Sequence, residues 1–117
     1  MSDRDPDCLF CRIASGEIPS DRVHEDDAVI AFRDIAPRAP THVLVVPRRH
    51  VPDIHSLTDD DAGLLAGCFA ALRRVAEAER LASGYRIVTN VGPDSGQTVF
   101  HLHFHLLGGR QMAWPPG

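Results

Sequence analysis

The sequence has 117 residues, 44% of them apolar and 24% charged, with a formal net charge of −4. That length holds one compact domain, and that composition excludes a chain without a core. The acidic balance excludes a broad polyanion-binding surface. Arg48, Arg49 and His50 form too short a basic cluster to outweigh it, so a nucleotide partner would be a mononucleotide and not a nucleic acid.

No apolar run approaches the roughly 18–20 residues of a membrane span, and the polar stretch 1–7 has no secretory leader pattern, so no membrane partner and a cytoplasmic location are expected. Residues 8–14 read as a short helix or turn, ended by Ser15 and Gly16. Residues 22–24 and 28–34 read as strands around the acidic turn Glu25, Asp26, Asp27. Pro37 and Pro40 bracket a loop. Residues 42–46, apolar, β-branched and stopped by Pro47, read as a buried central strand.

Residues 58–82 read as the one long helix. Thr58 with Asp61 resembles a capping box, and three consecutive aspartates suit the positive end of the helix dipole. Leu65, Cys68, Phe69, Leu72, Val75 and Ala76 form a stripe that Glu79 leaves, and Ser83-Gly84 would end the helix. Residues 85–90 read as a strand, 91–97 as a loop and 98–107 as the last strand, stopped by Gly108 and Gly109. There is no internal repeat. This order predicts a single α+β domain over 1–117, with an antiparallel sheet, a flexible 1–7 and a Trp114-containing tail over 108–117.

His101, His103 and His105 alternate with Leu102, Phe104 and Leu106. On a strand, that spacing puts the imidazoles on one face, roughly 6.5–7 Å apart, and the apolar set in the core. Three histidines in register are an uncommon way to fill a merely solvated face. Two uses compete. The row binds a metal, since histidines two apart can share one zinc. Or it is catalytic, since imidazole titrates near neutrality and serves as nucleophile, acid or hydrogen-bond donor. The preceding stretch favours phosphate as the target. Gly92 and Gly96 allow backbone N–H groups to converge on an anion, and Asn90, Gln97 and Thr98 add neutral donors. Cys8 and Cys11 form a C-x-x-C pair, which in a reducing compartment reads as metal-binding or redox, while Cys68 falls on the helix stripe as core.

The stretch from Gly96 through His101, His103 and His105 to Leu107 resembles the signature of the histidine triad family. Residues 39–47, the acidic turn at 25–27 and the tail from Gly108 resemble its Hint branch, the purine nucleoside phosphoramidases. The resemblance implies an antiparallel sheet of about five strands, one long helix and a short N-terminal helix, with the sheet continued across a homodimer. It implies that His103 is the nucleophile toward a purine nucleoside monophosphate, that His105 contacts the phosphate and assists the leaving group, and that His42 supports His103 through a relay. Asn90, Gly96, Gln97 and Thr98 would hold the phosphate and Asp34 the ribose. Leu9, Phe10, Ile13, Phe32 and Ile35 would wall the base pocket, with Trp114 reaching toward the partner's site.

No cofactor is implied for catalysis. A structural zinc is implied at Cys8, Cys11, His50 and His101, the ligand set of some bacterial members. The chain departs from the eukaryotic pattern with Thr98 for serine and with Arg33 and Ala113 for histidines. Hydrolysis of a P–N bond is the leading expectation. The alternatives are a dinucleoside polyphosphate hydrolase or nucleotidyl transferase, a nucleotide-binding regulatory module, and a metal-dependent hydrolase for which the sequence places no carboxylate beside the triad.

Overall fold

The computed structural model describes residues 4–117. Helix α1 spans Leu9–Ala14 and helix α2 spans Ala62–Ala78; the strands are β1 Arg22–Glu25, β2 Val29–Arg33, β3 Thr41–Pro47, β4 Tyr85–Val88 and β5 Phe104–Gly108. The strands form one antiparallel sheet in the order β1-β2-β3-β5-β4. The α+β class, the five-stranded sheet, the long helix and the short N-terminal helix are as expected. Among the described residues no helix is long and apolar enough to cross a membrane.

The two faces of the sheet are covered unequally. Alternation along each strand sends one set of side chains to each side. Val29, Ala31, Val43, Val45, Phe104 and Leu106 pack against Cys68, Ala71, Leu72, Val75 and Ala76 of α2. Ile30, Phe32, Leu44 and Val46 point the other way and meet Phe10, Ile13 and Ala14 of α1. Because α1 is only six residues long, it covers part of its face and leaves the rest to the site.

Two boundaries differ from the sequence reading. Helix α2 stops at Ala78, not near Ala82. Its capping box is present, with the Thr58 N–H donating to Asp61 Oδ2 at 2.9 Å, but residues Asp59–Asp61 form a 3₁₀ turn before the α-helix begins. At the other end Arg80 takes the left-handed conformation (φ 59°), its N–H donates to Glu77 O and the Leu81 N–H donates to Ala76 O. These are the two bonds of a Schellman motif, with arginine where glycine is usual and Leu81 as the buried apolar residue that follows.

The second difference is larger. The last strand covers Phe104–Gly108 only, so His101 and His103 lie ahead of the ladder and only His105 lies in it. Of the segment expected to be flexible, residues 1–3 lie outside the described residues. Beyond them, the Cys8 N–H donates to Asp5 O and the Asp5 N–H donates to Cys11 Sγ at 3.4 Å, which ties this turn to α1.

Candidate active site and metal centre

The imidazoles form a chain of neighbouring rings. His50–His101, His103–His105 and His42–His105 have centroids 5.0, 5.0 and 5.2 Å apart. Phe10 of α1 stands edge-on to His103 at 5.0 Å and to His101 at 6.0 Å. The short helix thus sets the side walls of both rings. His101 is fully buried and His103 nearly so, at 8% exposure.

The backbone settles where each proton sits. His103 Nδ1 lies 2.7 Å from the His101 carbonyl, which can only accept, so Nδ1 carries the proton and Nε2 keeps its lone pair. Nε2 has no protein partner among the described residues and is not among the buried unsatisfied atoms, so it faces solvent. His42 has the opposite tautomer. Its Nδ1 accepts from the Arg38 N–H at 3.0 Å, so Nε2 carries the proton and donates to His105 Nδ1 at 2.9 Å. His105 is then left with a proton on Nε2. The site therefore presents a lone pair from His103 beside a donor from His105. The expected support of His103 by His42 is corrected: His42 bonds His105, and His103 is held by His101.

Burial is the first cause that lowers the His103 pKa below 6.5, opposed by its bond to the His101 carbonyl and by Asp34. Burial, with His103 and His42 nearby, takes His105 to about 4. Both rings are neutral at pH 7. Burial likewise lowers His42, with Arg38 adding to the effect and Asp34 opposing it.

Asp34 is the carboxylate that the sequence did not place near the triad. Its Oδ2 lies 3.5 Å from His42 Nε2, and its Oδ1 accepts from the Ala36 N–H at 2.8 Å, an Asx turn at the end of β2. Asp34, His42 and His105 lie close enough to suggest a metal site. The tautomer argues against it. The Arg38 N–H occupies the Nδ1 lone pair of His42, so Nε2 has no lone pair to give a metal unless the ring ionises. The hydrogen bond here runs from His42 to His105, with the Asp34 carboxylate as a charged neighbour 3.5 Å from His42 Nε2.

Beside it opens a cavity of about 690 Å³ lined by Leu9, Phe10, Ile13, Phe32, Asp34 and Ile35, all six of the residues expected at the nucleoside end. Ile18, Pro19, Ser20, Asp21, Arg33 and Leu44 also line it and were not expected there. An apolar pocket with the Asp34 carboxylate at its rim on the histidine side, and Asp21 and Arg33 also at its edge, suits a flat base joined to a hydroxylated sugar.

The glycine-rich loop behaves differently from its reading. Gly96, in the left-handed conformation (φ 83°), donates its N–H to Pro93 O, and the Gly92 N–H donates to Gln97 Oε1 at 2.9 Å. Gln97 is buried, and its Nε2 donates to Pro52 O and Val99 O. Gly96 and Gln97 are therefore corrected from phosphate donors to braces of the loop, since their polar groups already have partners. The side chains of Asn90 and Thr98 have no protein partner among the described residues and stay available. Thr98 lines a separate depression with Cys8, His50 and Phe100. Trp114 is outside the cavity, 81% exposed, with Arg86 stacked 5.9 Å from its ring.

Cys8, Cys11, His50 and His101 converge as expected from the resemblance. Cys8 is the N-cap of α1, and Cys11 follows one turn later on the same side. His101 Nδ1 lies 3.3 Å from Cys8 Sγ, 3.5 Å from Cys11 Sγ and 3.2 Å from His50 Nδ1; His50 Nδ1 lies 3.4 Å from Cys11 Sγ. A tetrahedral ion with zinc-like bond lengths has ligand-to-ligand edges of roughly 3.3–3.8 Å, close to these. His101 Nε2 donates to Pro47 O at 2.7 Å, which leaves Nδ1 unprotonated and aimed at the group's centre. The donor set fits a metal ion. Burial pushes the Cys11 thiol up, and a bound cation would reverse that.

Residues 15–112 match the model of the HIT domain, and the chain belongs to that family. It is 49% identical over 111 residues to an uncharacterised HIT-like protein of Synechococcus elongatus, covering 95% of this chain and 97% of that one. A HIT family hydrolase from Legionella pneumophila has the same fold with a TM-score of 0.93 and 54% identity, over 95% of this chain and 100% of that chain. A HIT family hydrolase from Clostridium thermocellum gives 0.91 and 44%, over 93% and 96%.

Proposed function

We propose that this protein is a hydrolase of the Hint branch that cleaves the P–N bond of purine nucleoside 5′-phosphoramidates, adenosine ones foremost, through a nucleotide held covalently on His103. One observation carries the reading: His103 offers a lone pair beside a proton on His105, each fixed by a hydrogen bond on its other nitrogen. Neutral imidazole is a good nucleophile toward phosphorus, and neighbouring donors stabilise phosphoryl charge.

The reaction runs in two halves. His103 Nε2 attacks the α-phosphorus, the P–N bond breaks, and the leaving amine takes the His105 proton. Water then attacks phosphorus, the bond to His103 breaks, and a water proton returns to the relay as AMP leaves. One water is added across one P–N bond. The base lies in the cavity of Leu9, Phe10, Ile13, Phe32 and Ile35, and Asp34 accepts from the ribose hydroxyls. Asn90 and Thr98 supply phosphate donors.

Cys8, Cys11, His50 and His101 hold a structural zinc, which supplies a cross-link between α1, the His50 loop and the histidine segment. A reducing compartment such as the cytoplasm keeps those thiols available. Two chains pair so that the sheet continues from one to the other, which would cover exposed Tyr85 and Ile87 on edge strand β4.

The test is His103→Asn on a fluorogenic adenosine 5′-phosphoramidate. Turnover should fall by at least about a thousandfold; a value within about threefold of the parent overturns the assignment. A diadenosine polyphosphate in the same assay separates the polyphosphate-cleaving alternative.

A further inference from the structure

The backbone of His103 has no ladder partner on either side. Pairing with β3 ends at Val45 opposite Phe104, and pairing with β4 ends at Val88 opposite His105. Past those points the chain that carries the nucleophile needs other restraints, since its peptide groups still require partners.

Three bonds act on the first half of the segment. The Leu102 N–H donates to Val51 O, His101 Nε2 donates to Pro47 O, and His103 Nδ1 donates to the His101 carbonyl. The last of these lies inside the segment and moves with it. The second half has one tie to the sheet. Thr89 Oγ1 donates to the His103 carbonyl at 2.8 Å. Thr89 is the first residue past the end of β4, and its β-branched side chain is stiff at χ1, so the hydroxyl is fixed relative to the sheet.

We propose that Thr89 is a positioning residue: its hydroxyl takes the place of the missing ladder bond and holds the His103 peptide so that Nε2 stays in line with a bound phosphorus. The inference rests on the reading of His103 as nucleophile. Thr89 bonds the main chain of His103 and not its ring, and it does not line the nucleoside cavity. Its loss therefore acts on the geometry of attack and not on binding of the base.

The experiment compares Thr89→Val and Thr89→Ala, which remove the hydroxyl, with Thr89→Ser, which keeps it. Two readouts are taken: steady-state kinetics on the adenosine 5′-phosphoramidate, and the long-range ¹⁵N–¹H spectrum of the His103 imidazole in ligand-free protein. Removal of the hydroxyl should lower kcat by about tenfold or more with KM within about threefold, because small misplacements of reacting groups are costly. It should also shift or broaden the Nε2 resonance of the His103 imidazole, while the Nδ1 proton stays bonded to the His101 carbonyl. Thr89→Ser should restore both.

A valine or alanine variant with unchanged kcat and an unchanged imidazole spectrum overturns the proposal, as does a serine variant no better than valine. An inactive parent protein overturns the proposed reaction instead, and the spectra of the variants then decide the role of Thr89.

Discussion

A neutral histidine has two ring nitrogens and one proton, and in this protein main-chain groups decide where the proton sits on His42 and on His103. Arg38 fixes His42 through its N–H, and the His101 carbonyl fixes His103. Deleting the relay should therefore weaken the donor without touching the nucleophile: His42→Ala is expected to lower kcat by about a hundredfold while substrate still binds, as read in steady-state kinetics. The His103 pKa lies below 6.5, chiefly through burial, so the acid limb of kcat/KM should fall below pH 6.5. Stability has a matching sign. His105 is neutral in the fold down to about pH 4, whereas in the unfolded chain it takes a proton near 6.5. The unfolded state thus binds more protons through that window, and stability, full above it, falls as the pH drops from 6.5 to 4. Urea midpoints at pH 7 and pH 5 should differ accordingly, and less so in His105→Asn.

At the scale of elements, the ends matter more than the middles. Arg80 occupies a left-handed position that a non-glycine residue adopts at a cost of about 1 kcal/mol, so Arg80→Gly should stabilise the chain by about 0.5–1 kcal/mol in urea unfolding. Gly84 led the sequence reading to extend α2, because a glycine after an apolar run signals a helix end, yet the helix closes on Arg80 with Leu81 inserted into the core. The two strands at 22–25 and 29–33 were legible from the acidic turn between them, the central strand from its continuous apolar run, and the buried stripe of α2 from its helical spacing. The start of β5 was not. Alternation runs unbroken from Phe100 to Leu106, and nothing in it marks where pairing stops at Phe104. The six cavity residues and the four thiol and imidazole ligands came from the family resemblance, and the structure brings each group together. Arg38 and Thr89 were invisible, since one acts through its peptide N–H and the other through a hydroxyl that only the fold brings to His103. Gln97 looked like a phosphate donor by residue type, but its side chain is used to bond Gly92 and Val99 in its own loop and Pro52 in another.

For the whole molecule, the sheet has edge strands β1 and β4, and on β4 Tyr85 and Ile87 are exposed. If that edge is where two copies meet, the chain should sediment at twice its mass, and Ile87→Asp should shift it toward the single-chain value in analytical ultracentrifugation. The two faces of the same sheet carry separate duties: α2 seals one with the larger apolar cluster, and α1 shares the other with the histidines. Damage on the two sides should then produce different phenotypes. A cavity opened beneath α2, for instance at Leu72, would lower the amount of folded protein in a cell while each surviving molecule worked normally. A lesion at Phe10, which is buried as well, would lower abundance and also slow each surviving molecule, because its ring walls His103.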